Sequence, residues 1–75
     1  MMIKLRLTYY TLTARKVVTF NMYPDIECIT NPSGLFPIKG KEIIRAYKDR
    51  VAKGESTDWF YIFDEHGGEY LLEEV

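Results

Sequence analysis

Apolar side chains recur at every second position near the start of the chain, and this alternation constrains the fold more than any other sequence feature. It runs through residues 3–12 and resumes over residues 17–23. A period of two with β-branched and aromatic residues is typical of strands that bury one face. We therefore expect an antiparallel hairpin with a tight connection at residues 13–16. Pro24 ends its second strand, because proline cannot donate to the ladder.

One helix is predicted between this hairpin and the last strands. A short strand at residues 26–30 and a proline-containing loop come first, and residues 41–53 then place apolar side chains at helical spacing. Gly54 follows, where a left-handed C-terminal cap is expected. The face that the helix is expected to bury is formed by Ile43, Ile44, Tyr47 and Val51.

The last part of the chain predicts a second hairpin. Residues 59–63 are apolar throughout, and Gly67-Gly68 completes a turn at residues 64–68. Residues 69–72 return, before an acidic end that we expect to fray. The order β-β-β-α-β-β predicts an α+β fold, in which an antiparallel sheet of about five strands carries one amphipathic helix on one face.

Length and cysteine content limit the class of protein. A chain of 75 residues has enough surface to bury for only one core, so residues 1–75 are expected to form a single domain. Cys28 is the only cysteine, which excludes an internal disulfide and favours a reducing, cytoplasmic compartment. No apolar run approaches the ~20 residues that span a bilayer, and the N-terminus lacks the continuous apolar stretch of a signal peptide. We expect an intracellular protein with no membrane partner.

Residues that carry enzyme chemistry are scarce. His66 is the only histidine, and it lies in the predicted turn among acids with no nucleophile positioned beside it. Cys28 has no cationic sequence neighbour to activate it, so a small buried hydrophobe is its expected role. Gly34 and Gly40-Lys41 miss the spacing of a phosphate-binding loop, and no metal-ligand spacing is present. The sequence predicts no catalytic residue, no cofactor and no metal.

Charge is strongly segregated along the chain. Residues 1–53 contain all ten Lys and Arg residues and four acids, whereas residues 54–75 contain seven acids and no Lys or Arg. Such segregation can indicate a charged partner for one half. Alternatively, strands of opposite charge lie side by side and neutralise each other. The strand order decides between these two possibilities.

The predicted strand at residues 59–63 carries the strongest indication of a binding surface. If Phe60 and Ile62 pack under the helix, then Trp59, Tyr61 and Phe63 point away from it. Exposed aromatic side chains in a row are typical of a partner surface. A covering loop or a central position for the strand would bury them instead, and the sequence leaves these alternatives open.

The loop before the helix offers a second candidate anchor for a partner. Leu35 and Phe36 are apolar residues in a segment bracketed by Pro32 and Pro37. Apolar loop residues pack either into their own core or into a partner. The two prolines stiffen the loop, which reduces the entropy lost on binding.

A basic surface is the alternative site. Lys41, Arg45 and Lys48 share one side of the predicted helix, and Arg15 and Lys16 lie in the first connection. Together they could contact the phosphates of a nucleic acid. Ordinary helix ion pairs are the simpler explanation, and the net charge of −1 argues against a nucleic-acid binder.

These observations favour a small non-enzymatic protein that binds another protein. One form of this hypothesis is an inhibitor of the kind that phages and mobile elements encode, which acts on a host defence or nucleic-acid-processing protein by steric occlusion or acidic mimicry of nucleic acid. The acids Glu65, Glu69 and Glu73 then join the aromatic residues as contacts. The alternatives are a nucleic-acid-binding accessory protein and a homo-oligomer, such as a dimer, assembled through the aromatic strand or a sheet edge.

Overall fold

The computed structural model describes residues 1–32 and 36–75, and these form a five-stranded antiparallel sheet with one helix on one face. The predicted α+β class and element order are confirmed. The elements are β1 (Ile3–Tyr10), β2 (Arg15–Tyr23), β3 (Cys28–Thr30), α1 (Gly40–Ala52), β4 (Trp59–Phe63) and β5 (Glu69–Glu74).

The strand order in the sheet is β3-β2-β1-β5-β4, so the N-terminal strand is central. Both predicted hairpins form, and β1 joins them by pairing with β2 on one side and with β5 on the other. Leu7, for example, lies between Val18 and Leu72. This order leaves β3 and β4 as the two edge strands.

The helix covers the face to which the alternating apolar residues point. Leu5 and Leu7 of β1, Met22 of β2 and Leu72 of β5 have no exposed surface, and Ile43 of α1 closes over them. The described core contains no buried charged side chain. Burial of apolar surface, at about 25 cal/mol per Å², is therefore the main stabilising contribution in this layer.

The helix differs from its prediction at both ends. It begins at Gly40, where a Cβ would lie 3.2 Å from the Ile29 side chain, so the close approach to β3 favours glycine. Gly54 has a φ of 72° and ends it in the expected left-handed conformation. The expectation that Val51 belongs to the buried face was wrong, since it is 57% exposed.

Among residues 1–32 and 36–75, the structure contains no helix with the length and apolar character of a membrane span.

Several strand boundaries also differ from the predicted ones. The first connection lies at residues 11–14 rather than 13–16, because the Thr11 N–H donates to the Ala14 carbonyl and its hydroxyl oxygen accepts from the Ala14 N–H. A 3₁₀ turn at Pro24–Ile26 delays the third strand until Cys28. The expectation of a frayed acidic end was wrong, since β5 extends to Glu74 between β1 and β4.

Candidate binding surface

The sheet face without the helix, called here the open face, carries exposed aromatic residues at one edge. Phe60 and Ile62 of β4 are buried under the helix, as the alternation predicts. Trp59, Tyr61 and Phe63 therefore project from the opposite side, with exposed fractions of 60%, 48% and 67%. We call these three residues the aromatic row. No covering loop or central strand position buries them in the part of the chain that the structure describes.

The rings of the aromatic row contact one another. The Trp59 and Tyr61 ring centroids lie 6.1 Å apart at 88°, and those of Tyr61 and Phe63 lie 6.4 Å apart at 27°. These are edge-on and stacked arrangements that aromatic pairs favour. Leu71 of β5 stands directly opposite Tyr61 and is half-buried, which extends the apolar surface inward. The row is one continuous surface held on a strand rather than on a loop.

The backbone of β4 is also accessible along its outer edge. The Asp58 carbonyl accepts from the Glu74 N–H at 2.9 Å, and the Asp64 N–H donates to the Gly68 carbonyl at 3.0 Å, so both groups face β5. Backbone groups of an antiparallel strand alternate in direction. The N–H and C=O groups of Trp59, Tyr61 and Phe63 therefore point away from β5. Within the described residues, no other strand pairs with this edge.

Acidic side chains surround the aromatic row, and they include the three acids that the sequence analysis selected. Glu73 lies opposite Trp59 and Glu69 lies opposite Phe63, while Glu65 is exposed in the turn that follows β4. Glu73 is paired with Arg6 of β1, whose Nη2 lies 3.3 Å from its Oε2. The neighbouring strands of opposite charge thus neutralise each other at one position. In the described structure, Glu65 and Glu69 make no ion pair with a Lys or Arg.

The turn after β4 is held by the Asp64 carboxylate. Its Oδ1 accepts from the N–H groups of His66 and Gly68 at 2.9 and 2.6 Å, and its Oδ2 accepts from the Tyr70 hydroxyl at 2.7 Å. The hydrogen bond from Tyr70 is the main reason that the pKa of Asp64 is lowered. The same bond, with a smaller contribution from burial, raises the pKa of Tyr70 to about 12. These hydrogen bonds hold the turn that ends β4, and Phe63, the last residue of the aromatic row, directly precedes it.

Acids also lie on the helix side of β4, a feature that the sequence analysis missed. A shallow groove between α1 and β4 is lined by Glu42, Asp64, Glu65, Asp49 and a single cation, Arg45. Asp49 is paired with Lys53 at 2.9 Å. The sequence gives no local signal for this groove, because its two walls are some twenty residues apart and meet only in the folded chain.

The predicted basic side of the helix is exposed but mixed in charge. Lys41, Arg45 and Lys48 line one open groove beside α1, together with the acids Glu27 and Asp49. Lys48 is paired with Glu27, at 3.2 Å between Nζ and Oε1. Arg15 and Lys16 begin β2, at the end of that strand far from its pairing with β3. They do not line the groove, so the five basic residues do not form one continuous surface.

The remaining residues that the sequence analysis singled out do not belong to the aromatic row. Phe36 is half-buried and packs edge-on against Phe20 in the core, with 5.2 Å between ring centroids, so it is not part of the open face. Leu35 lies outside the described residues. Cys28 is half-buried rather than buried, and the His66 side chain is 85% exposed.

The described residues contain no cluster of three or more His, Cys, Asp or Glu side chains that could hold a metal ion. The His66 Nε2 lies 3.5 Å from Glu65 Oε1. Comparisons with protein-family models, with curated proteins and with solved structures give no match for this chain.

Proposed function

We propose that this chain is a non-enzymatic protein-binding module whose contact surface is the aromatic row of β4. The observation that carries the proposal is the exposure of three adjacent large aromatic side chains on a face that the helix leaves uncovered. Trp and Tyr are the residues that most often dominate binding energy at protein interfaces. A contiguous apolar patch of this kind is unusual on a monomer that has no partner.

The arrangement of the row supports rapid and specific contact. Its rings already pack on each other and stand on a paired strand, so little side-chain freedom is lost when a partner covers them. The surrounding acids supply a polar rim and an electrostatic attraction that speeds encounter with a basic surface. Affinity then comes from burial of the aromatic rings, and orientation comes from the charged rim.

Steric occlusion is the mode of action that we propose for the module. A small protein that buries its aromatic row on another protein covers the surface beneath it, as inhibitors encoded by phages and mobile elements do. A basic nucleic-acid groove is the target that best complements the acids Glu65, Glu69 and Glu73, because carboxylates can replace phosphates there. The chain itself contributes no chemistry to the partner in this mode.

Affinity capture with matched variants tests the proposal. Trp59→Ser and Phe63→Ser remove exposed rings without opening the core, so the fold is retained and capture of the partner should fall at least tenfold. Leu12→Ser is the control, because Leu12 is fully exposed in the first connection and does not belong to β4. Equal capture by all three variants would overturn the proposal.

The acids are tested separately. Replacing Glu65, Glu69 and Glu73 with Gln should weaken capture, and the loss should be greater at low salt because screening reduces such attraction. Capture that is unchanged at every salt concentration would count against nucleic-acid mimicry while leaving the aromatic contact in place.

Nucleic-acid binding is a second candidate, favoured by the single groove that Lys41, Arg45 and Lys48 line. Titration into labelled single-stranded DNA, double-stranded DNA and RNA at about 50 and 200 mM salt tests it, because binding to phosphates falls steeply over this range. Binding at low salt that is lost in the triple alanine variant of these residues would support this candidate. Absence of binding at both concentrations would remove it.

A further inference from the structure

We infer that the outer edge of β4 accepts an extended, basic segment of the partner protein as a sixth strand of the sheet. This inference rests on the proposed function and specifies the chemistry of the partner. It combines three features of one strand: unpaired backbone groups, exposed aromatic rings and acids on both sides.

The backbone geometry supplies the first argument. The N–H and C=O groups of Trp59, Tyr61 and Phe63 point outward, so this edge presents three donors and three acceptors in the spacing of a strand. Natural proteins usually protect such edges with a lysine, a proline or a bulge. Residues 59–63 contain neither lysine nor proline, and their register with β5 is continuous, so β4 has no bulge.

The side-chain geometry supplies the second argument. The residues with outward backbone groups are also those of the aromatic row, so a paired segment would place alternate side chains directly beside the three rings. Lys or Arg at these positions would reach the ring faces, where a cation is attracted by the aromatic quadrupole. Arg50 already makes such a contact on the buried side of β4, with its guanidinium carbon 5.0 Å from the centre of the Phe60 ring.

Charge on both sides of the edge supplies the third argument. Glu69 stands behind the row on the open face. On the helix side, the groove between α1 and β4 is lined by the exposed acids Glu42 and Glu65 and by one cation, Arg45. Whichever face the basic side chains of an added strand take, they meet carboxylates. The edge therefore complements a cationic segment and repels an acidic one.

The same charges argue against a second copy of this chain as the added strand. Antiparallel pairing of two β4 strands about Tyr61 places Asp58 of each copy opposite Asp64 of the other. The pairing also brings together two hairpins that contain no Lys or Arg. Like charges directly opposite each other destabilise a strand pair. A basic partner gains attraction at the positions where a second copy meets repulsion.

Synthetic peptides test the inference directly. The probes are a ten-residue peptide of alternating lysine and valine, its glutamate-valine counterpart, and the lysine peptide methylated at alternate backbone nitrogens. Trp59 is the only tryptophan, so its fluorescence reports binding at this edge, and amide exchange of Tyr61 reports backbone pairing. We expect the lysine peptide to bind, with affinity about fivefold weaker at 200 than at 50 mM salt.

Methylation should remove binding of the lysine peptide, because it blocks the backbone hydrogen bonds while keeping the charge. The glutamate peptide should not bind. Equal binding of the lysine and glutamate peptides, or of the methylated and unmethylated peptides, would overturn the inference. Concentration-dependent dimerisation of the chain alone, with protection of Tyr61 from exchange, would also overturn it in favour of a second copy.

A matched pair of variants separates the backbone from the side chain. Tyr61→Pro removes an outward N–H without removing a hydrogen bond to β5, and Tyr61→Ala removes the ring but keeps the N–H. We expect the proline variant to bind the lysine peptide about fivefold more weakly than the alanine variant. Similar affinities of the two variants, both folded by circular dichroism, would show that backbone pairing is absent.

Capture of the natural partner distinguishes this inference from the proposed function. Loss of capture by Trp59→Ser together with undiminished capture by Tyr61→Pro would retain the aromatic contact and overturn the added strand. Undiminished capture by both variants would overturn both proposals. Loss of capture by both, with retention by Leu12→Ser, would support both.

Discussion

The two faces of the sheet are built from the same five strands, yet they differ in what covers them. On the helix side, Leu5, Leu7 and Leu72 are fully buried. On the open face, Trp59 and Phe63 expose about two thirds of their surface, at 60% and 67%. A helix of 13 residues is about 20 Å long and can cover only one side of the sheet. The sheet therefore needs a helix over one face only, and its second face is left in contact with solvent.

The open face itself divides into two regions. On β1 it carries Lys4, Arg6 and Thr8, the polar side chains expected of a face in contact with water, and one aromatic residue, Tyr10, at the end of the strand. On β4 the same face carries the aromatic row. Since polar residues satisfy the fold at the β1 positions, the fold does not require aromatic residues at the corresponding positions of β4.

The largest expected effect comes from adjacent leucines on the two faces. Leu72→Ala opens a cavity under the helix and should lower the free energy of unfolding by about 2–5 kcal/mol. Leu71→Ala, one residue earlier on the open face, should cost about 1 kcal/mol or less. Urea denaturation of both variants measures the difference. Similar losses for the two would mean that the open face is also part of the core.

Tyr70 belongs to the core on the helix side, and its hydroxyl reaches the turn after β4, so its substitution should have an intermediate effect. Tyr70→Phe keeps the ring in the core but removes the hydroxyl that donates to Asp64, at a cost of about 1 kcal/mol. The loosened turn should also increase amide exchange of Gly68, whose N–H donates to the same carboxylate. Wild-type exchange at Gly68 in the variant would show that Asp64 holds the turn without Tyr70.

The pH dependence of stability has a defined sign for this pair. The raised pKa of Tyr70 means that its contribution is complete below about pH 10 and is lost as pH rises through about 12. The lowered pKa of Asp64 means that its contribution is complete above about pH 4 and is lost as pH falls further. Thermal unfolding across pH should show wild type and Tyr70→Phe converging at both extremes. A constant difference at all pH values would contradict the assignment.

The smallest expected effect concerns the Arg6–Glu73 pair on the open face. Both side chains are partly exposed, and the Arg6 Nε also donates to Glu73 Oε1 at 3.3 Å. A double-mutant cycle with Arg6→Ala and Glu73→Ala should give a coupling of about 0.2–1 kcal/mol that decreases with salt. A coupling above this range would mean that the open face contributes to folding as well as to binding.

Much of the fold was predictable because its signals are local. The period of two in residues 3–12, the proline at position 24 and the apolar pattern of the helix each act within a few residues. Local signals of this kind identified the strands and the helix, although not all of their ends. Errors arose where tertiary contacts decide, as at Val51, which is exposed, and at Glu73, which is held in β5 by pairing with β1.

The candidate site was predictable only in part. The alternation of residues 59–63 indicated that Trp59, Tyr61 and Phe63 share a face, but it could not show whether that face is covered. The burial of Phe36 was not predictable either, because its contact with Phe20 exists only in the folded chain. The acids of the groove between α1 and β4 come from two distant segments and were not predictable as a group.

The type and order of the elements, the strand residues that share a face and the segregation of charge all follow from the amino-acid sequence. The position of β4 at the sheet edge, the pairing of Arg6 with Glu73 and the carboxylates on both sides of the aromatic row follow from the folded arrangement. These two groups of properties depend on interactions over different distances along the chain. Side-chain direction follows from backbone geometry within a few bonds, whereas exposure and charge environment depend on which distant strands become neighbours.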